Sequence, residues 1–181
     1  MSPLGRVPAL LHEGGCVCES HRDQRVYLEE AFPACEHSLL PPDPLGRAAQ
    51  RALVARADAR VLPAGFRFLC YGDDHEAEWL AELRFLSGAL ADRPDLGGER
   101  MGLADVALVP FFERLDAALA AHRGMGVLDA CERQEGLSPL AVWYERVRQT
   151  AAYTLTSPGD PVAIAQVYRP EAVRGMSYLR Q

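Results

Sequence analysis

Residues 3–20 read PLGRVPALLHEGGCVCES, in which an apolar triplet, a Glu-Gly-Gly turn and a second short apolar run follow one another. Two short apolar runs joined by a glycine-containing turn predict a β-hairpin. The Val7–Pro8 pair before the first run favours a rigid X-Pro turn, in cis or trans geometry. Glu19 and Ser20 stand where a helix should begin, because serine is a common helix N-cap. The stretch therefore predicts two strands followed by a helix.

The rest of the chain predicts helices and, from Asp43 onward, no convincing strand. Trp79, Leu83, Leu86 and Leu90 recur at helical spacing, which predicts one buried helical face. Pro110 should kink the helix that contains it or end its first part. The helix candidates cover about 45–62, 75–92, 103–121, 138–150 and 160–169.

Further motifs follow the hairpin in a fixed order. They are YLEEAFP at 27–33, LLPPDP at 39–44, LGGER at 96–100 with LADVAL at 103–108, FFERL at 111–115 and AYTLT at 152–156. Together with the hairpin, this order resembles the glutathione S-transferase family, and the last two motifs are most similar to its cysteine-type lambda and omega classes. The resemblance implies a mainly α fold: an all-helical C-terminal domain, residues 41–181, preceded by a partial thioredoxin-like β-hairpin and helix, residues 1–40.

The same resemblance assigns a glutathione site. Val7, which follows Arg6 and precedes Pro8, would pair through its main chain with the cysteinyl part of glutathione. Glu19 would accept from the ammonium group of the tripeptide, and Ser20 with the helix N-terminus would bind a carboxylate, because unpaired N–H groups there favour anions. The alternatives are an ordinary loop-to-strand turn, with Pro8 as a structural residue, and plain N-capping by Ser20.

In the resembled family, an earlier segment carries the first strand, the first helix and the catalytic Ser, Cys or Tyr. The sequence begins at a point equivalent to the middle of that domain, so the catalytic residue stays unknown and we expect catalysis to be incomplete in this chain. The implied function is glutathione-dependent thiol transfer or reduction, or conjugation of small electrophiles. The alternative is a non-catalytic binding or protein-interaction module. The implied partners are glutathione, as substrate, and a small hydrophobic or disulfide co-substrate, and the resemblance allows a homodimer.

Asp105 is expected to serve folding rather than catalysis. It lies in the first turn of its helix, where an acidic side chain favours the helix start. Family members usually carry Ser or Thr three residues earlier and form a capping box, whereas this chain carries Gly102. Glycine is an acceptable N-cap but offers no side-chain hydrogen bond.

Composition narrows the classes of partner, cellular compartment and cofactor that we expect. The net charge is −6 without a basic cluster, so nucleic acid and anionic membranes are not expected partners. The sequence contains no run of 18 apolar residues, so it predicts no membrane-spanning helix. The five cysteines are odd in number and irregularly spaced, which favours reduced thiols in the cytoplasm, or in a plastid if a targeting segment precedes this sequence. Cys16 and Cys18 lack a second pair at ligand spacing, so no metal is predicted.

Overall fold

The computed structural model describes residues 8–18, 21–32 and 38–174. The described elements are β1 (Leu10–His12), β2 (Gly15–Cys18), α1 (His21–Ala31), α2 (Pro44–Arg56), a π-helical turn (Ala57–Val61), α3 (Leu62–Tyr71), a 3₁₀ turn (Asp73–His75), α4 (Glu76–Ala89), α5 (Leu103–Arg123), α6 (Val127–Arg133), α7 (Ser138–Arg148), α8 (Ala151–Thr156), α9 (Pro161–Val167) and α10 (Pro170–Val173). The predicted mainly α fold class is confirmed.

The predicted hairpin is present. Strands β1 and β2 pair antiparallel, with an irregularity in register between Leu10 and Leu11. Glu13 and Gly14 form the turn with φ values of 49° and 82°. Two consecutive positive φ values belong to the tight turns whose twist matches that of a hairpin, and glycine adopts them without steric cost. The sequence signal that predicted the hairpin therefore has a direct conformational cause.

The helices from α2 onward bury a single apolar core. The predicted face of α4 is confirmed, since Trp79, Leu83, Leu86 and Leu90 are all buried. Phe112 of α5 lies at the centre of the aromatic part of this core, with its ring perpendicular to that of Trp143 at a centroid distance of 5.6 Å. Such edge-to-face pairs add to the stability gained from burial itself. The core thus joins α4, α5 and α7.

Two features of the helices differ from the prediction. Helix α5 runs unbroken from Leu103 to Arg123, so Pro110 does not end it. The first helix candidate does not stop at residue 62 either, because the chain passes through the π-helical turn directly into α3. Pro63 stands directly after the π-helical turn within this continuous helix, where the regular α-helical hydrogen bonding is already interrupted. Sequence reasoning also missed α6, α8 and α10, which are seven residues or shorter.

Candidate functional site

The residues predicted to contact glutathione fall at the margins of what the structure describes. Arg6, Val7, Glu19 and Ser20 lie outside the described residues. Pro8 is described, and its carbonyl oxygen accepts a hydrogen bond of 2.9 Å from Nε2 of Gln24 on α1. This bond ties the start of the hairpin to the helix that follows it.

We call the described residues 8–18 and 21–32 the hairpin–α1 unit. It has its own polar contacts and a link to the helices. Within it, the hydroxyl of Tyr27 lies 2.6 Å from Nδ1 of His12. Glu29 at the end of α1 accepts hydrogen bonds of 2.8 Å from Oγ of Ser38 and from the backbone N–H of Leu39. Glu30 forms an exposed ion pair with Arg51 of α2 at 2.8 Å. The predicted glutathione-binding part is therefore held against the helical bundle by polar contacts at its C-terminal end and by Val26 of α1, which packs against the core.

Asp105 is completely buried at the start of α5 and binds four donors. Its carboxylate accepts from the backbone N–H groups of Leu96 (2.9 Å), Gly97 (2.8 Å) and Gly102 (2.7 Å), and from Nε1 of Trp143 (2.7 Å). Burial raises the pKa of Asp105, and the hydrogen bonds oppose that shift. The side chain thus fixes the loop before α5 to that helix and to α7, while no substrate-sized opening reaches it among the described cavities.

Gly102 and Gln50 explain how this helix starts without a Ser or Thr cap. A Cβ atom at Gly102 would come within 2.8 Å of the Cα of Gly97, so no side chain fits there without a shift of backbone. The missing cap is supplied by Gln50 of α2, whose Oε1 accepts from the N–H of Ala104 at 3.0 Å while its Nε2 donates to the Leu96 carbonyl at 2.6 Å. Sequence reasoning missed Gln50, because a glutamine within a helix carries no signal of a partner 54 residues away.

An aromatic face, formed by Phe66, Phe111, Arg114 and Tyr168, lies where α3, α5 and the end of α9 meet. The rings of Phe66 and Tyr168 stack at 6.4 Å with an angle of 18° between their planes. The guanidinium carbon of Arg114 lies 5.7 Å from the centroid of Phe111 and 6.0 Å from that of Tyr168. Phe111, Arg114 and Tyr168 are only half-buried, so this face can contact an aromatic or apolar molecule. In the sequence, Phe111 to Leu115 was noted only as a motif of the resembled family. No sequence signal pointed to Tyr168.

The described thiols have no catalytic character. Cys70 and Cys131 are free and buried, and burial raises the pKa of both, that of Cys131 to about 12. A reactive cysteine needs a thiolate, which a raised pKa disfavours. Nothing is described of the side chains of Cys16, Cys18 and Cys35. Within the described ranges, no three His, Cys, Asp or Glu side chains are grouped as metal ligands, and no helix is long and apolar enough to span a membrane.

Comparison with known proteins identifies the helical part first. The family model described as "Glutathione S-transferase, C-terminal domain" matches residues 47–146. The chain is 36% identical over 117 residues to the probable glutathione S-transferase parC of Nicotiana tabacum, covering 62% of this chain and 52% of parC. It is 32% identical over 176 residues to maleylacetoacetate isomerase of Pseudomonas aeruginosa, covering 90% of this chain and 78% of the isomerase.

Solved structures agree with this likeness. The rice glutathione S-transferase GST1, solved in complex with glutathione, matches with a TM-score of 0.74 and 27% identity over 90% of this chain and 74% of its own. Further neighbours are named as omega-class transferases from Trametes versicolor and a tau-class transferase from mango. The curated plant relatives are mostly of the tau class, so the predicted lambda or omega class is not confirmed.

The chain spans about half the length of several plant relatives, for example 52% of parC and 54% of the Arabidopsis thaliana transferase U25. The match nevertheless includes the buried start of α5 with Asp105 and most of the helices that form the core. By its family model, its relatives and its fold, this chain belongs to the glutathione S-transferase family.

Proposed function

We propose that this protein binds glutathione through its hairpin–α1 unit and presents it to a small hydrophobic or disulfide co-substrate. The observation that carries this proposal is the likeness to the rice transferase, which was solved with glutathione bound and matches 90% of this chain. The coverage means that the likeness extends beyond the helical domain. The reaction types that we propose are glutathione-dependent thiol transfer or reduction, and conjugation of small electrophiles.

In this proposal, the glutathione contacts are those implied by the sequence. The main chain of Val7, beside Arg6, pairs with the cysteinyl part of the tripeptide, and Glu19 accepts from its ammonium group. Helix α1 begins at His21, directly after Ser20 in the sequence. The first N–H groups of a helix lack partners within the helix and favour a carboxylate. The bond between Gln24 and Pro8 supports the proposal, because it keeps the start of the hairpin close to α1.

We propose that the co-substrate binds at the aromatic face. Its half-buried rings offer stacking surface, and Arg114 adds a positive charge that suits electron-rich or anionic groups on an aromatic co-substrate. A second candidate function is a glutathione-binding module without catalysis. Cys70 and Cys131 are buried and their pKa is raised, so neither offers a thiolate for catalysis at neutral pH.

Binding is tested first, by calorimetric titration of the full chain with reduced glutathione. We expect saturable binding that weakens at least tenfold when Glu19→Ala and Ser20→Ala are combined. The matched control is Glu135→Ala with Ser138→Ala, an exposed Glu and Ser pair at the start of α7, which should leave binding unchanged. Absence of binding would contradict the proposal, and binding that survives the Glu19 and Ser20 changes would show that the contacts lie elsewhere.

Catalysis is tested separately with three substrates. An aryl halide reports conjugation, a mixed disulfide of glutathione reports thiol transfer, and maleylacetoacetate is included because the isomerase relative covers most of this chain. Binding of glutathione without appreciable turnover of any of the three substrates would favour the binding-module alternative over the proposed reaction types. Turnover of the aryl halide or the disulfide above the uncatalysed rate would replace the binding-module alternative with the corresponding enzymatic function. Phe111→Ala should then raise KM for the aryl substrate more than it lowers kcat.

A further inference from the structure

A cavity lies between α5, α7, α8 and α9. It shares none of its described lining residues with the aromatic face. We call it the α5–α9 cavity and define it by Glu113, Asp116, Tyr144, Arg148, Tyr153 and Ser157. Its volume is about 330 Å³. Pockets that hold small molecules start at about this size, roughly 300 Å³. Nothing in the proposed glutathione chemistry uses it.

The hydroxyl of Tyr144 is the most informative group in this cavity. The residue is only 1% exposed, and its ring packs against Phe112 and Trp143. Its hydroxyl makes no hydrogen bond to a described residue and is not closed off from solvent, so it is reached from the cavity that the residue lines. Burial raises the pKa of this hydroxyl, and the charge of Asp116 raises it further. A protonated donor without a partner among the described residues therefore faces this space.

The carboxylates of Glu113 and Asp116 are the charged acceptors of the cavity. The hydroxyl of Tyr153 donates to Oε1 of Glu113 at 3.0 Å, and the hydroxyl of Ser157 donates to the same oxygen. Oδ1 of Asp116 accepts from the N–H of Val127 at 2.7 Å, with Leu128 at 3.3 Å. One oxygen of each carboxylate has no hydrogen bond to a described residue. The wall thus offers two carboxylate oxygens to a ligand that carries N–H donors.

The charges around the cavity also favour a cation. Glu113 and Asp116 line it, and Asp129 of α6 lies close enough to raise the pKa of Asp116. Opposed to these three acidic groups stands Arg148 of α7, whose side chain is exposed to solvent and lies over the ring of Tyr144. Ala117, Pro161 and Ile164 supply the apolar part of the lining. A charged group in such a site is stabilised by opposite charges and by hydrogen bonds.

We propose that the α5–α9 cavity binds a small primary amine in its ammonium form, with the ammonium between Glu113 and Asp116 and an apolar body against Pro161 and Ile164. A hydroxyl or carbonyl oxygen on such a ligand would accept the hydrogen bond that Tyr144 leaves unmade. The proposal goes beyond the glutathione function and does not depend on it.

The test uses the full chain without glutathione and three probes that share one body: phenethylamine, 2-phenylethanol and phenylacetate. Binding is followed by NMR titration. We expect saturable binding of phenethylamine, at least tenfold tighter than that of 2-phenylethanol, and no saturable binding of phenylacetate. Absence of saturable phenethylamine binding, or equal affinity for the alcohol, overturns the proposal. These comparisons use the unmodified protein, so they decide the matter even if a variant fails to fold.

Variants then locate the probe. Glu113→Gln keeps an acceptor for Tyr153 and Ser157 but removes the charge, and should weaken phenethylamine at least fivefold. Arg148→Gln should tighten it. Glu145→Gln, an exposed carboxylate on α7 outside the cavity, is the control and should change nothing. Tyr144→Phe should remove any gain in affinity that 2-amino-1-phenylethanol has over phenethylamine. A folded Glu113→Gln variant that binds phenethylamine as tightly as the unmodified protein would contradict the assigned site.

Discussion

The hairpin–α1 unit and the helical bundle differ in how they are stabilised. In the bundle, residues 38–174, the apolar side chains form one continuous core. In the described part of the hairpin–α1 unit, Leu11, Leu28 and Phe32 are 64%, 45% and 53% exposed, and no side chain is fully buried. Hydrophobic burial is the main favourable contribution to folding. The bundle has this contribution, and the hairpin–α1 unit largely lacks it. A two-stranded hairpin with one helix is marginal by itself.

The contacts between the two regions show where the division lies. Leu39 and Leu40 belong with the bundle: the carbonyl of Leu39 accepts from the N–H of Leu103 at 2.9 Å, and Leu40 is part of the buried core. A boundary after residue 40 therefore separates two residues from the domain that they stabilise. We propose that the helical domain begins at Ser38, three residues before the boundary expected from the sequence.

The largest effect is expected in the bundle, at Asp105. Asp105→Ala removes a buried acceptor and leaves four donors without partners, so it should lower the free energy of unfolding by about 4 kcal/mol. Urea unfolding followed by circular dichroism measures this loss. Asp92→Ala, an exposed carboxylate in the loop after α4, should change stability by less than about 0.5 kcal/mol. A loss below about 1 kcal/mol at Asp105 would mean that the loop before α5 is not tied to the core as described.

The second largest loss of stability is expected at Gln50. Gln50→Ala removes two hydrogen bonds at the start of α5 and should cost about 2 kcal/mol, whereas the exposed Gln166→Ala should cost little. Adding Gly102→Ser to Gln50→Ala restores a capping side chain in principle. We expect no recovery of stability, because its Cβ would still meet the Cα of Gly97 at 2.8 Å. Recovery in the double variant would show that the two glycines can move apart.

A pair of truncations tests the boundary itself. Residues 38–181 should unfold cooperatively without the hairpin–α1 unit, whereas residues 41–181 should be less stable by about 2 kcal/mol, since they lose the burial of Leu40 and the Leu39–Leu103 hydrogen bond. Thermal melting of the two fragments at equal concentration measures the difference. If both fragments are unfolded, the hairpin–α1 unit is required by the core, and the contrast between the two regions fails.

The smallest effect is expected within the hairpin–α1 unit. Tyr27→Phe removes the contact with His12 and should speed hydrogen exchange at the hairpin amides severalfold, while global stability changes by less than about 0.5 kcal/mol. The matched change in the bundle is Trp143→Phe, which also removes one hydrogen bond but should lower global stability by about 1–2 kcal/mol. A global loss at Tyr27 as large as that at Trp143 would mean that the unit and the bundle unfold together.

Local signals in the sequence predicted the local features well. The hairpin was predicted from a turn whose two residues adopt positive φ, and the face of α4 from apolar side chains at helical spacing. Of the two effects predicted for Pro110, a kink or the end of a helical segment, the end does not occur, because α5 packs on several helices and this packing outweighs the one missing backbone hydrogen bond. The short helices were missed because they carry too few residues to show a period.

The candidate sites divide in the same way. The sequence by itself determined the family, the helical class and the residues proposed to hold glutathione, since these follow from motifs whose members are close in the chain. Only the tertiary structure decided which distant residues meet: Gln50 at the start of α5, Trp143 at Asp105, Phe111 beside Arg114 and Tyr168, and Tyr144 with Glu113 and Asp116 in the lining of the α5–α9 cavity. The physical reason is that hydrogen bonds and packing between helices depend on how the helices cross. The crossing is set by the whole core, and no local pattern encodes it.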